Sequence, residues 1–161
     1  MIKLKTLLET VFWGDAGAGA LFVAEDTGKL LVCRRAYWVN EHGTWNLVGG
    51  ALEGKETSTE AVEREIKEET GYSGGYRMSL LYIFTSGTFT YHNYLITVPK
   101  EFGPEFRDGE HDEYLWVEFG KWPKPLHFGL AALIEHAGSK IKREVDAIKE
   151  KLTQSRIERN I

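Results

Sequence analysis

Gly50-Ala51-Leu52-Glu53-Gly54-Lys55-Glu56 and, after a gap of seven residues, Arg64-Glu65-Ile66-Lys67-Glu68-Glu69-Thr70-Gly71-Tyr72 form the stretch whose reading decides the fold. Thr57, Ser58 and Thr59 fill part of the gap, and Thr57 with Glu60 has the spacing of a capping box, in which hydroxyl and carboxylate satisfy each other's free backbone amides. The pattern predicts a helix from about Ser58 to Thr70, closed by Gly71 in the left-handed conformation that glycine adopts without strain. At about 100° per residue, Glu65, Glu68 and Glu69 fall within roughly a 100° arc near the C-terminal end of that helix. Like charges at this spacing repel, and acids at a C-terminus oppose the helix dipole by roughly 0.3–1 kcal/mol each. A solvated face is the ordinary reading of an acidic run. Here, however, the glycine-rich loop from Gly49 to Gly54 leads straight into the capped helix, and backbone free of side chains approaches a metal or phosphate closely. Mg²⁺ gathers carboxylates together with phosphates, so a divalent cation accounts for a face that helix stability does not.

Outward from this stretch the chain reads mainly as strands. Ala20 to Ala24 and Leu30 to Cys33 are apolar runs of strand length, and Asp26-Thr27-Gly28 between them has the chemistry of a hairpin turn. Trp45 to Val48 reads as a short strand ended by Gly49-Gly50. Met78 to Phe84 and Phe89 to Val98 are rich in aromatic and branched residues around Ser86-Gly87, which predicts a second hairpin. Glu113 to Glu118 makes a last strand. Beyond Pro123 and Pro125 we expect a helix from about Phe128 to Ala137 and a second from Ser139 to about Ile157, where Ile141, Val145, Ile148 and Leu152 form one apolar stripe on a charged rod. That stripe suits packing on its own domain and pairing with a second copy in a homodimer equally well. The fold class is α/β, a mixed sheet with helices packed on it.

At 161 residues, positions 1–161 suit one domain with its own core, 138–161 forming a helical extension. The formal charge of -4, with acids and bases mixed, offers no broad basic face for a duplex nucleic acid. Cys33 stands alone, which excludes an internal disulfide and points to a reducing, cytoplasmic compartment. Lys3 and Lys5 precede Leu7, Leu8, Val11 and Phe12, but Glu9 and Asp15 interrupt a signal-like apolar run, so the segment reads as mature sequence. No run of about 18 apolar residues suggests a membrane helix.

The stretch from Gly50 to Tyr72 resembles the Nudix box: Gly, five residues, Glu, seven residues, Arg-Glu, an aliphatic, any residue, Glu-Glu, any residue, Gly and an aliphatic. Gly50, Glu56, Arg64, Glu65, Ile66, Glu68, Glu69 and Gly71 fit; Tyr72 replaces the closing aliphatic, and can still bury its ring. The entry Trp45-Asn46-Leu47-Val48-Gly49-Gly50 is also similar to the family, with Val48 where proline is usual, a change expected to loosen the loop. The resemblance implies a Nudix α/β/α sandwich carrying an extra charged C-terminal helix, and hydrolysis of the diphosphate linkage of a nucleoside diphosphate derivative with Mg²⁺, or Mn²⁺ in its place. It also implies roles. Glu68, Glu69 and the Gly49 carbonyl would ligate the metal, Glu65 would ligate or orient a second metal or its water, and Glu56 with Arg64 would hold the loop on the helix.

A carboxylate must then accept a proton from the attacking water. Glu69 and Glu65 qualify, as do Glu110 and Glu113 in the acidic loop Asp108-Gly109-Glu110-His111-Asp112-Glu113. The segment from Glu110 to Trp116 is similar, more weakly, to diadenosine tetraphosphate hydrolases and some nucleoside triphosphate pyrophosphohydrolases. Arg34 and Arg35 end a predicted strand near the site, and Tyr37, Trp38, Trp45 and Tyr91 are aromatics available to stack on a base. His42, His92, His127 and His136 have no metal-ligand spacing and read as structural. Nucleoside triphosphates and dinucleoside polyphosphates lead as substrates. ADP-ribose, other sugar nucleotides, RNA 5′ ends and a non-catalytic nucleotide-sensing module stay open.

Overall fold

The structure, a computed structural model, describes residues 16–161, so the expectations for the N-terminal lysines and leucines lie outside the described residues. At its centre is β1 (Ala16–Ala24), every residue of which beyond Ala16 is buried. It runs parallel to β6 (Phe89–Val98) in register from Ala16–Thr90 to Ala24–Val98. On its other side it pairs antiparallel with β4 (Val48–Ala51) and then meets β2 (Leu30–Arg35) at Val23–Leu30. The Asp26-Thr27-Gly28 turn therefore joins neighbours that diverge at once. β2 turns instead to β3 (Trp45–Asn46) and β7 (His111–Val117). β5 (Arg77–Ser86) closes the other edge against β6 as the predicted hairpin. The sheet is mixed, as expected.

Side chains alternate across a strand, and this alternation sorts the core into two layers. Leu21, Val23, Leu30, Val32 and Leu95 face α2 (Phe128–Arg159), through Leu130, Leu133, Ile141, Val145 and Ile148. Ala20, Phe22, Leu31, Cys33, Val48 and Ile96 face α1 (Ser58–Thr70), through Ala61, Val62 and Ile66. The result is helix, sheet, helix. Cys33 is wholly buried, and burial pushes its thiol up, so it is a packing residue.

Two expectations change. The C-terminal region is one continuous helix, not two, because Gly138 sits within the helix and does not take the positive φ of a helix-ending glycine. Its apolar stripe is taken up by the chain's own sheet: Ile141 and Val145 are buried and Leu152 packs against the same cluster. Val48, in the place of the usual proline, does not loosen the loop, since it is buried and held in β4 opposite Ala20. Among the described residues no helix is long and apolar enough to cross a membrane.

Candidate active site

α1 begins at Thr57, whose hydroxyl accepts the Glu60 N–H at 3.2 Å while Glu60 accepts the Thr57 N–H at 3.2 Å. It ends at Gly71, with φ 69° and its N–H donated to the Lys67 carbonyl. Both caps fix the phase of the helix, and so the direction of its acids. The loop before it is locked by Arg64, whose guanidinium donates to both oxygens of Glu56, at 2.8 and 3.0 Å, and to the Ala51 carbonyl at 3.0 Å. Glu56 in turn accepts the Glu53 N–H at 2.7 Å. Loop and helix form one rigid unit.

From this unit Glu65 and Glu69 turn inward and both are buried. Glu65 lies under Gly50, where an added Cβ would stand 2.4 Å from its Oε1, which explains the glycine. Glu69 accepts the Gly49 N–H at 3.1 Å. Burial raises the proton affinity of both carboxyls, most strongly at Glu69, whose charge is opposed further by Glu65, Glu110 and Asp108. The Glu65 and Glu110 carboxyls crowd that of Glu69, an arrangement that a shared proton or cation relieves. Oxygens of Glu69, Asp108 and Glu110 lie within 4.8 Å of one another. Three convergent hard donors, one of them buried, fit a divalent cation of the Mg²⁺ class.

Beside the cluster opens a cavity of about 320 Å³, bounded at the acidic end by Gly49, Gly50 and Glu110 and walled by Tyr82, Phe84 and Phe128. Arg35, Asn46, Tyr91 and Asn93 supply its polar lining. The Asn46 side-chain oxygen is buried there without a hydrogen-bond partner among the described residues.

Residues 15–137 match the family model of the NUDIX domain. The chain belongs to the Nudix family. Over 66 residues it is 38% identical to a Mycobacterium tuberculosis protein carrying the provisional name 8-oxo-dGTP diphosphatase 3, a match covering 38% of this chain and 30% of that one. The chain thus spans under a third of the curated relative's length. The fold matches RenU, a Nudix hydrolase from M. smegmatis, with a TM-score of 0.64 and 26% identity over 84% of this chain and 88% of that one. It matches a MutT NUDIX hydrolase from Burkholderia pseudomallei with a TM-score of 0.60 and 25% identity, over 74% and 95% of the two chains.

Within this Nudix fold the residues singled out from sequence divide. Glu65, Glu69, Gly49 and Glu110 converge, and Arg64 and Glu56 brace them. Glu68 stays outside the cluster, its carboxylate turned to Arg64 at 3.1 Å. Glu113 is paired instead with Arg34 at 3.1 Å, the residue it stands opposite in the β2–β7 register. Arg34 is further committed to Asp112 at 2.8 Å and lies over the Trp45 ring, so it does not line the cavity. Trp45 is itself a core residue. Arg35 and Tyr91 line the cavity, whereas Tyr37 projects into solvent with Trp38 packed edge-to-face against it. Asp108, Asn46 and Asn93 were not singled out. The dense acidic loop signalled Asp108, but nothing in a lone Asn announces that its amide will be buried in a cavity. Of the histidines, His127 caps α2 by accepting the Gly129 N–H at 3.0 Å, and His136 stacks on Tyr82.

Proposed function

We propose that this protein is a divalent-metal-dependent pyrophosphohydrolase acting on a nucleoside triphosphate, with Mg²⁺ as the metal. The observation that carries the reading is the continuity of the acidic cluster with an aromatic-walled cavity holding an unpartnered buried amide oxygen. A buried acceptor without a donor costs about 1–3 kcal/mol, a cost that a nucleobase N–H would remove. Tyr82, Phe84 and Phe128 suit the faces of such a base. The phosphates would then extend toward Glu69, Asp108 and Glu110.

Glu69, Asp108 and Glu110 would hold the cation, with Glu65 next to them. When bound, a divalent cation neutralises phosphate charge and acidifies a water molecule. Glu110 is the cluster carboxylate that also lines the cavity, so it would hold the cation on the side from which the phosphates and the attacking water approach. Arg64 and Glu56 keep the Gly49–Gly54 loop in place during this step. The provisional name of the mycobacterial relative supports a triphosphate with a modified purine as the first compound to try.

A dinucleoside polyphosphate is the second reading. Tyr37 and Trp38 are 77% and 59% exposed, and Trp38 packs over Gly109, between the cluster residues Asp108 and Glu110. Their rings offer a place for a second base.

The test is to incubate the protein with Mg²⁺ and separate panels of oxidised and ordinary nucleoside triphosphates, diadenosine polyphosphates, ADP-ribose and capped RNA, identifying products by chromatography. Cleavage of a triphosphate to monophosphate and pyrophosphate, abolished by chelation and by Glu69→Gln, supports the reading. Cleavage confined to ADP-ribose or RNA ends, or metal-dependent binding without cleavage, overturns it.

A further inference from the structure

Tyr91 is held in an unusual way. It starts on β6 opposite Gly17 of β1, and its ring lies across β1 where Gly17 and Gly19 present no side chains. An added Cβ would stand 2.7 Å from the ring at Gly17 and 3.0 Å from the ring and hydroxyl at Gly19. The hydroxyl reaches β4, where a Cβ on Gly49 would stand 2.5 Å from it. Three glycines on two strands thus border one ring and its terminal oxygen, Gly19 also leaving room for Leu47 and Gly49 for the Ala18 carbonyl. Packing alone would be served as well by phenylalanine. Among the described residues no hydrogen bond holds the hydroxyl, although Tyr91 lines the cavity at the end where Gly49 and Glu110 meet it.

We infer that the Tyr91 hydroxyl donates a hydrogen bond to an oxygen of the substrate phosphate joined to the nucleoside, a contact role distinct from base stacking. This rests on the pyrophosphohydrolase reading, which puts the base among the aromatic walls and the phosphates at the cluster, with the junction between them beside Gly49. Burial raises the phenol's proton affinity, Glu69 and Glu65 raise it further, and Arg35 opposes them. The group stays a neutral O–H at any pH at which the enzyme would work. A neutral donor suits an anion approaching a site already crowded with carboxylates.

Tyr91→Phe keeps the ring on its glycine bed and deletes only the oxygen, and Tyr91→Leu deletes the ring as well. We expect Tyr91→Phe to keep the wild-type thermal midpoint, to lose about ten- to a hundredfold in kcat/KM for the cleaved nucleotide, and to bind the nucleoside monophosphate product at least about fivefold more weakly by calorimetry with Mg²⁺. Unchanged kcat/KM and affinity in Tyr91→Phe, with a loss confined to Tyr91→Leu, makes the ring a packing or stacking group and overturns the inference. If the wild type cleaves no nucleotide, the pyrophosphohydrolase reading falls. The calorimetric comparison of wild type with Tyr91→Phe then decides the hydroxyl's role in the same way.

Discussion

Glu69 accepts the Gly49 N–H at 3.1 Å, although its carboxyl is almost wholly buried and three further acids press on it. One amide does not offset that burial, so the raised proton affinity is a stability statement. A carboxyl whose folded pKa lies above its unfolded value contributes stability that is present below the ordinary carboxylate range and lost as pH rises through the folded value. At neutral pH the metal-free chain carries this penalty. Glu69→Gln keeps an acceptor for Gly49 and removes the charge. We expect its metal-free thermal midpoint to rise by roughly 3 °C or more, Mg²⁺ to stabilise the wild type but not the variant, and turnover to fall about a hundredfold. A calorimetric scan with and without chelator reads the first two.

The Arg64–Glu56 pair depends on shape as well as charge. Arg64 offers two parallel N–H groups to Glu56 and a third to the Ala51 carbonyl, and a lysine ammonium cannot reproduce that fork. Arg64→Lys should cost about 1–2 kcal/mol in urea unfolding and lower kcat more than it raises KM, because the loop carrying Gly49 is freed. A double-mutant cycle with Glu56→Gln should give a coupling above about 1 kcal/mol. Additive effects would assign the loop's order to its glycines instead.

How far such features were legible in the sequence depends on whether local or distant chain segments make them. The helix from Ser58 to Thr70 and its Gly71 cap follow from residues next to one another, and the structure reproduces them. The break expected near Gly138 was wrong for a tertiary reason: burial of Leu133, Ile141 and Val145 against the sheet carries the helix through a residue of weak helix propensity. The same limit separates Glu110 from Glu113. Both belong to one acidic stretch of sequence, but Glu110 lies just before β7 and joins the cluster, while the register of β7 on β2 sets Glu113 opposite Arg34.

That separation is open to kinetics. Glu110→Gln should lower kcat by about a hundredfold and weaken Mg²⁺ binding. Glu113→Gln, losing only a partly exposed ion pair worth about 0–1 kcal/mol, should leave both within about a factor of two. Equal losses in the two variants would mean that the loop rearranges around substrate.

His111 should contribute to the loss of stability in acid. Its ring is buried against Phe106, and neither nitrogen has a hydrogen-bond partner among the described residues. Burial first, and then the charge of Arg35, push it from 6.5 down to about 4, against a smaller opposing pull from Asp112. Its folded pKa is therefore depressed, and the stability this represents is fully present above the unfolded value of 6.5 and lost as pH falls toward 4. The shift corresponds to a loss on the order of 3 kcal/mol across that window. Protonation of Glu69 acts in the opposite direction as pH falls, so the quantity to measure is the difference between wild type and His111→Phe in urea unfolding with chelator present. An apolar ring removes two unsatisfied nitrogens, so the variant should match or exceed the wild type at pH 7. Its advantage should widen steadily to pH 4. A difference that stays flat with pH would mean that the imidazole titrates alike in the folded and unfolded chain, and one that narrows toward pH 4 would mean that Asp112 turns inward to hold it protonated.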